Sequence, residues 1–244
     1  MELMKKLLIL LALCSPLYGQ QILSPILFAN SSGGGGVTLS YVGSGSNSCF
    51  TTTCAVTYSP TNGNLVKVDY FCYDTTASQN PTITTDNGSS TWSNAFIYTD
   101  AGNWYETEDY TLSSAGSPTT ITVHCGAATN TIDVVVSEYH RTSGSWAFGG
   151  AATQAFGTST TATGNSVTPT SSVPALISGW FLNKATNAAF TNGNTTIRVS
   201  VGDSYHGEEI SAGDQIVSSA SGSYSASAGL TVSNAWTAIT SWFK

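Results

Sequence analysis

The stretch Val66-Lys67-Val68-Asp69-Tyr70-Phe71-Cys72-Tyr73 decides the fold class, because one set of apolar residues recurs in it at every second position. Val66, Val68, Tyr70 and Cys72 then share one face of a β-strand, whose side chains alternate between two sides. Turn sequences such as Asn-Gly and Asp-x-Gly separate further segments of this kind. These segments lie at residues 37–41, 54–58, 95–98, 105–112, 121–125, 132–139, 175–182, 197–201, 215–218, 223–228 and 236–243.

So many short strands predict an all-β protein, and two architectures fit it. We expect a single large antiparallel β-sandwich of the jelly-roll type over residues 20–244. The alternative is two tandem immunoglobulin-like sandwiches of about 100 residues each, joined by the Gly-, Ala-, Ser- and Thr-rich segment 144–172. That segment also contains Trp146, Phe148 and Phe156, which a solvated linker would not expose, so we interpret it as a long crossing within one domain.

Residues 1–19 have the pattern of a secretory signal peptide that is cleaved. Lys5 and Lys6 precede the apolar run 7–13, and the small residue Gly19 follows. The apolar run is shorter than the roughly 20 residues of a membrane span, so no membrane insertion is expected. The sequence therefore predicts a secreted protein, extracellular or at the cell surface.

Four cysteines remain after removal of the leader with Cys14, and an oxidising compartment allows three pairings of them. We favour Cys49 with Cys54, across a short turn, and Cys72 with Cys125, both on the apolar faces of their strands. A tetrahedral zinc site is the rival interpretation, but the spacing contains no paired Cys-x-x-Cys elements.

The composition sets limits on partners. Only 9% of the residues are charged, the formal net charge is −7, and 41% of the residues are hydrophobic, enough for a sizeable core. Nucleic acid is not an expected partner, because neutralising phosphates needs a basic face.

Glu138 is the most unusual acidic residue. Continuing the alternation of Ile132, Val134 and Val136 puts its carboxylate on the buried face, where it needs a partner. One hypothesis makes it an acid of a glycoside hydrolase, which uses two carboxylates; Glu208 is the other weak catalytic candidate. The favoured alternative is a structural carboxylate held by backbone N–H groups or an arginine. Further partners considered for the hydrolase are Glu106, Glu108 and Glu209.

Metal binding has weak support. Asp86 and Asp100 lie in oxygen-rich turns of the kind that hold calcium, although such turns also serve as ordinary turn chemistry. The histidines, His124, His140 and His206, form no His-Glu-x-x-His motif. No cofactor is expected other than a possible calcium ion.

Aromatic residues provide the candidate ligand-binding site. Trp104 and Tyr105 follow a turn and Trp146 lies in the Gly-rich crossing, so we consider them as exposed platforms for a sugar ring. The other tryptophans, Trp92, Trp180, Trp236 and Trp242, are expected to fill the core.

Several segments together resemble a class of bacterial secreted β-sandwich domains. They are the Cys-containing turn with Cys54-Ala55-Val56, the strand Gly63 to Val66, the turn Thr85 to Gly88, the run Val134 to Tyr139, and the closing Gly222-Ser223-Tyr224 segment through Trp236 to Lys244. The resemblance implies one all-β unit and a surface or extracellular location, and it transfers no activity.

The sequence thus favours a non-enzymatic module for surface attachment, with a glycan or another cell-surface polymer as ligand. A structural role in an extracellular assembly, with self-association through exposed strand edges, is the alternative. The second alternative is the glycoside hydrolase built on Glu138.

Overall fold

The computed structural model describes residues 36–74, 81–87, 90–99, 104–116, 118–126, 129–171, 173–184, 188–202, 207–218 and 220–244. The predicted leader, residues 1–19, lies outside them. Residues Gly36–Lys244 form one compact unit. Within the described ranges every regular element is a β-strand, and no helix there is long and apolar enough to cross a membrane.

The strands follow one another along the chain with connections of varied length. They are β1 (Leu39–Cys49), β2 (Thr53–Thr57), β3 (Leu65–Asp74), β4 (Thr82–Thr85), β5 (Ser93–Thr99), β6 (Trp104–Thr111), β7 (Thr120–His124), β8 (Thr129–Arg141), β9 (Phe148–Ala151), β10 (Ala155–Thr163), β11 (Thr170–Ser171), β12 (Ala175–Asn183), β13 (Phe190–Asn192), β14 (Thr196–Gly202), β15 (Glu209–Val217), β16 (Ala220–Ser221) and β17 (Ser227–Phe243).

These strands form antiparallel sheets that pack face to face, as predicted for an all-β sandwich. The central sheet has the order β1-β8-β3-β6-β5, and a cap sheet, β2-β7-β4, covers one of its faces. The C-terminal sheet has the order β10-β17-β12-β15-β14, with β9 and β13 also paired to β17, and it covers the other face. Strands β11 and β16 form a separate pair.

The central sheet therefore has two buried faces. Val66, Val68 and Tyr70 on β3 pack against the cap sheet, in one cluster with Ile121 and Val123. The opposite face, with Phe71 and Val135, packs against Trp180, Leu182 and Ile239 of the C-terminal sheet. Burial of both faces supplies most of the apolar area that drives folding.

The sheets divide along the chain. Residues 39–141 supply the central and cap sheets, and residues 148–243 supply the C-terminal sheet and the small strand pair. This division resembles the tandem alternative, but the two halves share a core between them. In that core Tyr139 and Leu65 contact Leu176 and Phe243. The segment 144–172, predicted as a crossing, contains β9, β10 and β11.

Both predicted disulfides are present. Cys49 and Cys54, with Cα atoms 5.5 Å apart, join the end of β1 to the start of β2. Cys72 and Cys125, with Cα atoms 6.2 Å apart, join β3 of the central sheet to the end of β7 in the cap sheet. Two disulfides fit a protein that folds in an oxidising, extracellular environment.

Candidate functional site

Glu138 lies near the end of β8 on the face toward the cap sheet, as the alternation predicted, and only 2% of its surface is exposed. Its carboxylate accepts hydrogen bonds from the Tyr58 hydroxyl at 2.7 Å, the Thr61 backbone N–H at 2.9 Å and the Asn64 side-chain amide at 2.5 Å. Burial raises the pKa of the Tyr58 hydroxyl, and the Glu138 carboxylate raises it further. The carboxylate thus anchors the segment 58–64 to the central sheet.

This arrangement argues against the hydrolase hypothesis. A glycosidase needs two carboxylates that flank a sugar in an open groove. Glu138 is enclosed, and its acceptor positions are taken by three protein donors. Glu208, the other catalytic candidate, lies half-buried just before β15, in the C-terminal half of the chain.

The calcium candidates do not form a cation site among the described residues. The Asp86 carboxylate accepts bonds from the Thr119 backbone N–H and hydroxyl, at 3.1 and 2.6 Å, which lower its pKa. It therefore acts as an anchor between turns. Asp100 and His206 lie outside the described residues. His124 contacts Thr84, and no group of three or more His, Cys, Asp or Glu side chains in the described ranges converges on one point.

The predicted aromatic platform is wrong for two of its three residues. Tyr105 is 4% exposed and packs in the core beneath the cap sheet. Trp146 is 5% exposed and packs beside Tyr139, with the Arg141 guanidinium 6.0 Å from its ring centre. Both rings are buried because two sheets cover the central one, so neither is open to a ligand. The side chain of Trp104 lies outside the described part of the chain.

An open groove runs instead along one side of the contact between the central and C-terminal sheets. It consists of two adjoining hollows, of about 330 and 390 Å³, that share Tyr98 and Gln154. One wall is β5, the edge strand of the central sheet, and the other comes from the β9–β10 connection and β10. We call it the β5–β10 groove; its lining residues include Phe96, Ile97, Tyr98, Gln154, Phe156, Thr158, Lys184 and Trp236.

Aromatic rings and polar groups alternate along this groove. Phe156 is the most exposed large apolar side chain described, at 77%, and the Tyr98 ring is partly buried. The Gln154 side-chain amide donates to the buried Glu106 carboxylate at 2.8 Å, which fixes the orientation of the amide in the groove. Such a set of ring faces with a few fixed polar groups is typical of ligand sites.

Trp236 is held in place by its strand neighbours. It pairs across the ladder with Gly157, where an added Cβ would lie 2.7 Å from the indole ring. The ring therefore lies over the bare backbone of Gly157, a contact that only glycine allows. The indole N–H donates to the Ser159 hydroxyl at 3.0 Å. Both contacts hold the ring on the face of the C-terminal sheet opposite to Phe156, where it packs against the cluster that includes Phe181 and Ala238.

Sequence reasoning missed this groove. Phe156 was recognised only as an apolar residue in the crossing. Trp236 was expected in the core, and it packs partly buried against the core cluster of Phe181 and Ala238. The available signal was local: Phe156 lies on a strand with small or polar neighbours. The groove itself depends on the edges of two sheets from different halves of the chain, which no local pattern reveals.

On the side opposite to the groove, an ion pair lies at the contact between the central and C-terminal sheets. The Arg198 guanidinium binds Asp214 through two bonds, of 2.6 and 3.0 Å, and lies 4.5 Å from the centre of the Tyr41 ring. The Tyr139 hydroxyl also donates to Asp214, at 3.1 Å. Burial raises the pKa of Tyr139, and the Asp214 carboxylate raises it further. Access between the sheets is therefore through the β5–β10 groove rather than from this side.

Comparison of the chain with protein-family models, curated proteins and solved structures gives no match. The chemistry of the groove follows from its own side chains. Those side chains offer ring faces, the Gln154 amide, several hydroxyls and the Lys184 ammonium. They contain no carboxylate pair open to solvent among the lining residues.

Proposed function

We propose that the protein is a secreted, non-enzymatic binding module and that the β5–β10 groove holds a glycan. The observation that carries this proposal is the exposed ring of Phe156 and the partly buried ring of Tyr98 in one hollow, together with the Gln154 amide. Sugar rings present apolar C–H faces that pack on aromatic side chains, while their hydroxyls need donors and acceptors.

The polar residues of the groove suit a neutral glycan. The Gln154 amide and the Thr158 hydroxyl donate to and accept from sugar hydroxyls, and Lys184 is the one cation among the lining residues described. The volumes of the two hollows fall at the lower end of the range for small-ligand sites. Because the hollows adjoin, the groove accommodates consecutive units of a chain.

The direct test is binding of the secreted protein to an array of neutral and acidic glycans, once with millimolar calcium and once with chelator. We expect binding to neutral glycans in both conditions. Replacing Tyr98 or Phe156 by Ala should weaken binding of the best glycan about tenfold each, corresponding to about 1.4 kcal/mol per ring. Affinity electrophoresis or calorimetry measures the change.

Phe50 provides the matched control, because it is an exposed aromatic ring, at 53%, that does not line the groove. Phe50→Ala should bind as the unmodified protein does. Absence of binding across the array, or equal losses for the Phe50 and Phe156 variants, would exclude the groove as a glycan site.

A further inference from the structure

Between the central and C-terminal sheets lies a fully buried cluster of one amine and two carboxyl groups. The Lys67 ammonium is 2.8 Å from the Glu108 carboxylate and 3.3 and 3.5 Å from the two oxygens of Asp69. None of the three side chains has appreciable solvent exposure. Asp69 and Glu108 are direct partners in the β3–β6 ladder, which keeps the cluster together.

Two serines of the opposite sheet orient this cluster. The Ser178 hydroxyl contacts the Lys67 nitrogen, and the Ser241 hydroxyl donates to Glu108 Oε1 at 2.7 Å. The second Glu108 oxygen, Oε2, points at the amine. The amine nitrogen lies at nearly equal distances from both Asp69 oxygens, so it faces the carboxyl group as a whole, including its carbon.

The electrostatics of the site favour a neutral product. Burial raises the pKa of Asp69 well above its usual range, and the nearby Glu108 adds to this while Lys67 opposes it. Burial acts to lower the pKa of Lys67, but Asp69 and Glu108 outweigh it and leave that pKa raised. Buried charges carry a large desolvation cost, which an amide in place of an ion pair removes.

We propose that Lys67 and Asp69 condense to an intramolecular amide after folding, with Glu108 as the proton carrier. Lys67 passes a proton to Glu108, and the neutral amine attacks Cγ of the protonated Asp69, forming the C–N bond. Glu108 returns that proton to a carboxyl hydroxyl, which leaves as water when the C–O bond breaks. Glu108 then takes the second proton of the nitrogen, so the amide, one water and a neutral Glu108 result.

Condensation of an amine with a carboxylic acid is unfavourable in dilute aqueous solution. Holding the two groups in contact inside the folded protein makes it favourable. Groups held in reactive contact have effective concentrations on the order of 10⁵ M or more, and the dry site keeps water from hydrolysing the product. The step needs no oxidant, activating nucleotide or metal, because its only co-product is water.

The test uses the sequence around the cluster. Chymotrypsin cleaves after Leu65 and Tyr70 and after Tyr105 and Tyr110, so it releases the pentapeptides 66–70 and 106–110. In reduced, denatured protein we expect peptide 66–70 at one water below its sequence mass, cyclised between Lys67 and Asp69. A peptide at full mass overturns the proposal, and so does a branched product in which Lys67 joins the peptide 106–110.

Variants assign the roles. Glu108→Gln keeps the shape but cannot carry the proton, so peptide 66–70 should then have its full mass. Asp69→Asn should give the same cyclic peptide as the unmodified protein, because ammonia leaves in place of water. Glu106→Gln is the matched control, since Glu106 is a buried acid two residues away that contacts Gln154. The Glu106→Gln variant should give the same cyclic peptide 66–70 as the unmodified protein. The mass of peptide 66–70 from the unmodified protein tests the amide bond even if a variant fails to fold.

Discussion

Replacing Glu138 by Gln is the substitution that best tests its assignment as a structural anchor. The variant keeps the size of the side chain but removes its charge. Three donors converge on the carboxylate, from Tyr58, Thr61 and Asn64. Hydrogen bonds to a charged acceptor stabilise by about 1 kcal/mol more than neutral ones. Loss of charge at three bonds, offset in part by easier burial, should cost about 2–3 kcal/mol.

That magnitude gives a measurable thermal shift. For a domain of this size, 1 kcal/mol corresponds to about 2–4 °C, so Glu138→Gln should melt about 5–10 °C below the unmodified protein. Circular dichroism at pH 7, without reductant, follows the transition. Tyr58→Phe removes one donor and should lower the melting temperature by less. The double variant should be more stable than the sum of the single losses predicts, because the two side chains share a bond.

Glu209→Gln is the control for the loss of a partly buried carboxylate. Burial raises the pKa of Glu209, and hydrogen bonds from the Phe190 N–H, at 3.3 Å, and from the Ser200 and Ser211 hydroxyls compensate only in part. Its charge is therefore unfavourable in the folded state, and the neutral amide should melt at or slightly above the unmodified protein. Melting of Glu138→Gln within about 2 °C of the unmodified protein, or strict additivity with Tyr58→Phe, would refute the anchoring argument.

Three further predictions concern other parts of the fold. Removing the Cys72–Cys125 disulfide, with its sequence separation of 53, should lower the free energy of unfolding by about 4 kcal/mol. Removing Cys49–Cys54, with a separation of 5, should lower it by about 2 kcal/mol. Denaturant unfolding of the two variants, each with a pair of Cys→Ala substitutions, tests this order. The pKa of Asp86 is lowered in the folded protein, so the ionised carboxylate stabilises the fold. This stabilisation is fully present above the unfolded-state pKa of about 3.9 and is lost as the pH falls through the lower folded-state pKa. Asp86→Asn should therefore be less stable than the unmodified protein at pH 6 and equal to it near pH 2, and a persistent gap in acid would contradict this. Arg198→Ala removes both guanidinium bonds from the buried Asp214 carboxylate, which keeps the bond from the Tyr139 hydroxyl, and should cost about 3 kcal/mol in urea unfolding. Arg198→Lys, which keeps the charge without the two-bond geometry, should have an intermediate stability. Equal stability of the Ala variant and the unmodified protein would count against the pairing.

The sequence was sufficient where local patterns decide the structure. Alternation in β3, β7 and β8 predicted strands with one apolar face, and in the structure those faces pack together between the central and cap sheets. The same alternation placed Glu138 on the buried side. Both disulfides followed from an even cysteine count, with Cys49–Cys54 predicted from the short turn between them and Cys72–Cys125 from the position of both sulfurs on apolar strand faces.

The sequence was insufficient where two halves of the chain meet. Lys67 and Asp69 alternate with apolar residues, a pattern that normally indicates a solvated face. They are buried because a sheet formed more than 100 residues later covers them. Trp146 is buried for the same reason. Sheet-to-sheet contact of this kind is a tertiary property that has no signature in a local window.

The double coverage of the central sheet has a consequence for hydrogen exchange. Strand β3 pairs with β6 and β8 and has a sheet on each face, so its amides should exchange only when the whole domain unfolds. Strand β5 pairs with β6 alone among the described strands, and it forms one wall of the groove. Its amides should exchange by local opening, orders of magnitude faster. The wall that meets a ligand can then fray and re-form while the centre of the protein stays closed.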